Sequence, residues 1–157
     1  MLMPETMRNT AATLVGFGDI KKARSIDGWE EFLHDGDAFL QTGIAAYTKG
    51  KKAFTPEILY NVIAMAIEKF VMAALMQRGA LPYNHTMGDL VDSMDEVFPE
   101  GMSDIKDGLL DLDRYQEICD VDTFNITPPA MAAIPAMLVL AEKMQELVYK
   151  TTGEKQG

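Results

Sequence analysis

The residues that most often announce chemistry are scarce in this chain. There is one cysteine, Cys119, in 157 residues, so no disulfide can close within it. That usage fits a reducing, cytoplasmic setting. Cys119 lies near the end of an apolar helical face and reads as a small core residue rather than a nucleophile. There are two histidines, His34 and His85, and they make no zinc spacing with the cysteine. Only one Glu-x-x-His spacing occurs, Glu31 to His34, and the helical di-iron pattern needs two, so it is excluded. The chain also lacks a GxxxxGK[ST] loop, a GxGxxG after a strand, and a Gly-x-Ser-x-Gly elbow. No cofactor is expected on these grounds. Positive charge is short as well: 14 Lys and Arg stand against 24 Asp and Glu, for a net charge of −10. Such a chain repels bulk nucleic acid, whose binders are basic, and the charge mainly supports solubility. The opening MLMPETMRNTAATLVGFG has no basic segment ahead of a long apolar one, so no signal peptide is expected. The apolar run from Pro128 to Ala141 is too short to cross a bilayer.

What is abundant is helical periodicity. Thr55 to Arg78 is the stretch the rest packs around. Thr55 is a good N-cap, Pro56 suits the first turn, Glu57 favours the positive dipole end, and Gly79 is placed to stop the helix. Phe54 and Leu59 can form a hydrophobic staple. Leu59, Val62, Ile63, Ala66, Ile67, Phe70, Val71, Ala74 and Leu75 leave little polar circumference, which marks a central helix. Glu68 and Lys69 in its middle argue against a membrane span.

The remaining helices take their places around it. Residues 1–26 read as an N-terminal arm, with Lys21, Lys22 and Arg24 as a basic cluster, and 27–157 as a helical bundle. A first helix is predicted from Asp27 to Tyr47, opened by an Asp27/Glu30 capping box. Its inner face carries Trp29, Phe32, Leu33, Leu40, Ile44 and Tyr47. Gly36 and Gly43 near that face each cost about 1 kcal/mol against alanine but let a neighbour approach. Thr48 to Ala53 is a basic loop. A third helix is predicted from Thr86 to Phe98, and a fourth from Ser103 to Asp120 with Ile105, Leu109, Leu112, Tyr115 and Ile118 inward. The last opens at Thr127-Pro128, kinks at Pro135 and ends at Gly153. The fold expected is an all-α antiparallel four-helix bundle with an additional short helix.

One run is more informative. Ala66-Ile-Glu68-Lys69-Phe-Val-Met-Ala73-Ala-Leu75 is followed by Arg78-Gly79, Pro82 and His85-Thr-Met-Gly-Asp-Leu90. With Leu112-Asp-Arg114-Tyr115 and the Thr-Pro-opened final helix, this resembles the HEPN family (higher eukaryotes and prokaryotes nucleotide-binding domain) over about residues 27–152. The resemblance implies a prokaryotic helical bundle that commonly forms a homodimer, often beside a small nucleotidyltransferase in a toxin–antitoxin pair. Lys69, His85, Arg114 and Tyr115 would then line a nucleotide-binding cleft. Some members are metal-independent ribonucleases with an Arg-x4-6-His motif, in which His moves a proton and Arg holds phosphate. Here no histidine follows Arg114 at that spacing. Arg78 and His85 meet it formally but straddle a loop.

The resemblance thus implies a non-catalytic module. Two alternatives are kept: a ribonuclease acting through His85 with Arg78 or Arg114, and a purely structural helical adaptor. Plainer readings of the same residues stand beside these. His85 can be a helix-start residue bonded to nearby backbone, Arg114 a salt-bridged surface arginine, and Glu68 with Lys69 a polar pair that fixes packing.

Overall fold

The computed structural model describes residues 24–116 and 128–156. Among them every regular element is helical, and no strand occurs. The expected Thr127 cap, Ile126, Ile118, Cys119 and residues 1–23 of the arm lie outside the described residues.

Helix α1 runs Trp29–Thr48. The Asp27 capping box is not formed. Gly28 is the N-cap, with φ of 91°, a left-handed conformation that glycine adopts at little cost. The buried stripe is Leu33, Gly36, Leu40, Gly43 and Ala46, while Trp29, Phe32, Ile44 and Tyr47 are only half-buried. Small residues at its centre bring the helix close to its neighbour. An alanine Cβ at Gly36 would sit 2.7 Å from the Phe70 ring.

Helix α2, Pro56–Gln77, follows its sequence signals closely. The Ile58 N–H donates to Thr55 Oγ1 at 3.3 Å, Pro56 sits in the first turn, and Gly79 ends it with φ of 74°. Twelve of its residues are buried, so it is the core element. It is long and apolar enough to cross a membrane, but most of its apolar stretch is buried against the other helices, as in the core of a globular protein.

Helix α3 runs Met87–Val97, with Leu90, Val91 and Met94 buried. The long fourth helix expected from Ser103 is instead two short ones, α4 at Lys106–Asp111 and α5 at Asp113–Gln116, broken at Leu112. Leu112 itself stays in the right-handed helical region, and the hydrogen bonds there tighten, its N–H donating to the Leu109 carbonyl and the Tyr115 N–H to its own. The final helix α6 is Ile134–Thr152, preceded by a 3-10 turn at Met131–Ala133. Pro135 therefore lies in the first turn, where it costs no hydrogen bond, and not in a mid-helix kink. Met131 is exposed rather than inward. Gly153 closes α6 with φ of 76°.

Cross-contacts give the helix directions. Gly36 faces Phe70 and Gly43 faces Ile63, so α1 and α2 are antiparallel. Gly43 also faces Leu138 while Asp37 meets Gln145 and Tyr149, so α1 and α6 are antiparallel too. It follows that α2 and α6 run parallel, in agreement with the Gln77 Nε2 bond to the Thr152 carbonyl at 2.7 Å. A uniformly antiparallel bundle is thus corrected: α1 lies between two helices that point the same way. The Tyr149 hydroxyl donates to Asp37, and burial with that bond raises its pKa. Gln145 Nε2 donates to the same carboxylate at 2.7 Å. This ties α1 to α6 through polar groups at the edge of an apolar core.

Candidate functional site

The residues singled out from sequence fall into two groups, and the first is organised by Asp113. Its two carboxylate oxygens accept the backbone N–H groups of Met87 and Gly88, each at 2.8 Å. The next N–H, that of Asp89, goes to Thr86 Oγ1 at 3.1 Å, and the Thr86 hydroxyl donates to Asp89 Oδ2 at 2.6 Å. Three N–H groups that a helix start leaves orphaned are thereby satisfied, with a negative charge at the positive dipole end. Asp113 is the first residue of α5, directly after the Leu112 that separates it from α4.

That clamp places His85, just before α3, and Arg114, next to Asp113, beside the same helix start. His85 Nδ1–H donates to Glu68 Oε1 at 2.7 Å, joining the middle of α2 to the start of α3. His85 is largely exposed and Glu68 about one third exposed. Arg114 is paired with Asp111 at 3.1 Å and lies over the Tyr115 ring at 4.9 Å from its centroid. Both members of that ion pair are 63% exposed, so it adds little stability and leaves the guanidinium open to exchange its partner. Tyr115 in turn packs on Tyr60, ring centroids 5.4 Å apart, and the Tyr60 hydroxyl donates to the Leu112 carbonyl at 3.3 Å. The Glu68–His85 pair and the Arg114–Tyr115–Tyr60 stack thus flank one clamp. At the start of α4, Lys106 donates to Asp95, and that bond raises its pKa.

The second group is elsewhere. Lys69 turns to α1, with its ammonium 4.0 Å from Asp35 and 4.5 Å from the Phe32 ring centroid. Glu68 and Lys69 therefore do not pair with each other; each reaches a different neighbouring helix. Arg78 caps the far end of α2, over the Phe98 ring at 5.0 Å and near the Thr151 carbonyl at 3.5 Å. Ten helical residues separate it from Glu68, about 15 Å along the axis, so Arg78 and His85 are not brought together. His34 lies on α1, where its side chain is exposed.

Sequence reading passed over one feature. A cleft of about 510 Å³ opens where α1 ends and α2 begins, lined by Ala46, Tyr47, Lys51, Lys52, Phe54, Leu59 and Met131 among others. The signal for it was Gly50, with φ of 59°, which closes α1 in a Schellman turn: its N–H donates to the Tyr47 carbonyl and that of Lys51 to the Ala46 carbonyl, both at 3.1 Å. Among the described residues no group of three His, Cys, Asp or Glu is arranged to hold a metal ion. No family model, no curated protein and no solved structure matches the chain.

Proposed function

We propose that the chain is a non-catalytic, HEPN-like helical module that acts as a homodimer and binds a nucleotide, or docks a small nucleotidyltransferase, at the end of the molecule that carries His85, Arg114 and Tyr115. One observation carries the reading: His85, bonded to Glu68, and the stacked, solvent-open Arg114 guanidinium stand beside the one helix start that Asp113 clamps. Arginine on a tyrosine face can meet a phosphate while keeping its stack. The imidazole, oriented by Glu68, offers a hydrogen-bonding group beside it. Lys69 belongs to the α1 side and drops out of this site. Dimer formation is supported by Ile58 and Met65, two turns apart on the core helix and each 42% exposed.

Titration calorimetry with a panel of mono-, di- and triphosphate nucleotides tests the binding half. One member is expected to bind, with Arg114→Ala weakening it roughly tenfold, the size of one charge-assisted hydrogen bond. No heat from any member removes nucleotide binding. A monomeric mass by light scattering removes the dimer, and with it the adaptor alternative.

A second reading is favoured by the 2.7 Å contact of His85 with Glu68. A histidine oriented by a carboxylate is a general acid–base arrangement, and with Arg114 it would make a metal-independent ribonuclease. RNA cleavage by the purified protein decides this: equal activity in the parent and in His85→Ala ends the enzymatic reading.

A further inference from the structure

We infer that the cleft between the end of α1 and the start of α2 is a binding site for a small organic anion with an apolar or aromatic body. This is independent of the function proposed above, since none of its residues is shared with the His85 and Arg114 end. The volume, about 510 Å³, is that of a small-molecule site. Its walls are apolar, with Ala46 and Leu59 buried at the back and Tyr47, Phe54 and Met131 at the sides. Its polar groups converge from one direction. Lys51 and Lys52 line it together with Thr55 and Pro56 at the positive end of α2.

The charge of those lysines is what selects an anion. Lys49, Lys51 and Lys52 place three of the chain's 14 cations within four positions of a protein whose net charge is −10. With carboxylates in such excess, pairing would be expected. Yet among the described residues no carboxylate lies within ion-pair distance of any of the three. Among the described residues, the aromatic ring of Phe54, 6.0 Å from the Lys51 ammonium, is the only partner these lysines have. The lysines are not needed to finish α1 either, because the backbone of the Schellman turn already satisfies the Ala46 and Tyr47 carbonyls. Glu57, the one acid in the first turn of α2, is exposed and does not line the cleft. A concave apolar surface capped by ammonium groups that no described carboxylate pairs suits a carboxylate or phosphate head carried on a ring or short chain.

The test uses 8-anilinonaphthalene-1-sulfonate as the probe on the full chain, with near-ultraviolet circular dichroism confirming native packing. Saturable one-to-one binding is expected, weakening as sodium chloride rises from about 50 to about 500 mM, because the lysines are exposed and screened. Displacement by AMP would name a nucleotide as the source of the anion, and displacement by octanoate a fatty acid. Lys51→Glu/Lys52→Glu is expected to weaken the probe at least tenfold. Lys143→Glu/Lys150→Glu on α6, with the same charge change, is expected to leave it within twofold. Met131→Trp, at an exposed wall position, narrows the cleft and should weaken binding without charge change. Absence of saturable binding by all three compounds overturns the inference, and so does equal binding by the two charge-reversed variants.

Discussion

Gly36 and Gly43 lie seven residues apart on the same face of α1, and replacing each by alanine should move stability in opposite directions. In a helix interior the exchange gains about 1 kcal/mol of backbone propensity at either position. The difference is in what the new methyl meets. At Gly43 the nearest atoms, on Ile63, Leu138 and Val62, all stand at 3.6 Å, which is ordinary contact. At Gly36 the Cβ would lie 2.7 Å from two carbons of the Phe70 ring and 3.2 Å from a third. Phe70 is fully buried, so its ring has no solvent to retreat into. Overpacking of this kind costs about 1–3 kcal/mol. Gly43→Ala is therefore expected to stabilise by about 0.5–1 kcal/mol, and Gly36→Ala to destabilise by about 1 kcal/mol net. In a chain of this size each kcal/mol moves Tm by about 2–4 °C. Calorimetric melting of both variants reads the contrast. Gly36→Ala/Phe70→Leu should recover part of the loss, with a coupling above about 0.5 kcal/mol in a double-mutant cycle. If both alanines shift Tm the same way, or if the cycle shows no coupling, the close approach of α1 to α2 at Phe70 is wrong.

Three further outcomes follow from single side chains. Ser93 is buried in α3 and its hydroxyl has no hydrogen-bond partner among the described residues, so Ser93→Ala should be neutral or stabilise by about 1 kcal/mol in urea unfolding; a clear loss would mean the hydroxyl is satisfied. Asp113→Ala removes the acceptor of two helix-start N–H groups and should cost about 2 kcal/mol, with amide exchange at Met87 and Gly88 accelerating while α6 is unchanged. Tyr149 has its pKa raised by burial and by the bond to Asp37. A raised folded-state value stabilises fully below the unfolded pKa of about 10 and is lost as pH climbs through the folded one. Tyr149→Phe should therefore lower stability by about 1–3 kcal/mol at pH 8 and flatten its decline above pH 10; an unchanged alkaline slope would refute the assignment.

The helices that the sequence spelled correctly are those whose ends are set locally. Thr55 with Pro56 opens α2, Thr86 opens α3, and Gly79 and Gly153 close α2 and α6. Each signal acts within three or four residues, so no partner helix is needed to read it. The misreadings arise where the decisive contact is distant. Asp27 looks like a cap until Gly28 takes the turn. The run from Ser103 onward has an unbroken apolar period, yet it divides at Leu112, next to an Asp113 that is bonded to residues 25 and 26 positions earlier. The parallel course of α2 and α6 is likewise a matter of connection and docking that periodicity does not encode.

The same distinction governs the candidate site. His85, Arg114 and Tyr115 come to one helix start through the Asp113 carboxylate, to which the sequence reading gave no role. Lys69 is adjacent to Glu68 in the chain, yet the roughly 100° between successive helical residues sends one toward α1 and the other toward α3. Adjacency along a central helix therefore argues against a shared site rather than for one, because every face of such a helix looks onto a different neighbour. The pairs that do act together are those joined across helices: Glu68 with His85, Asp113 with the start of α3, Asp37 with Tyr149. Each leaves only an ordinary polar residue in the sequence, and it is the apolar core between them, legible from the start, that holds their separation and makes their meeting specific.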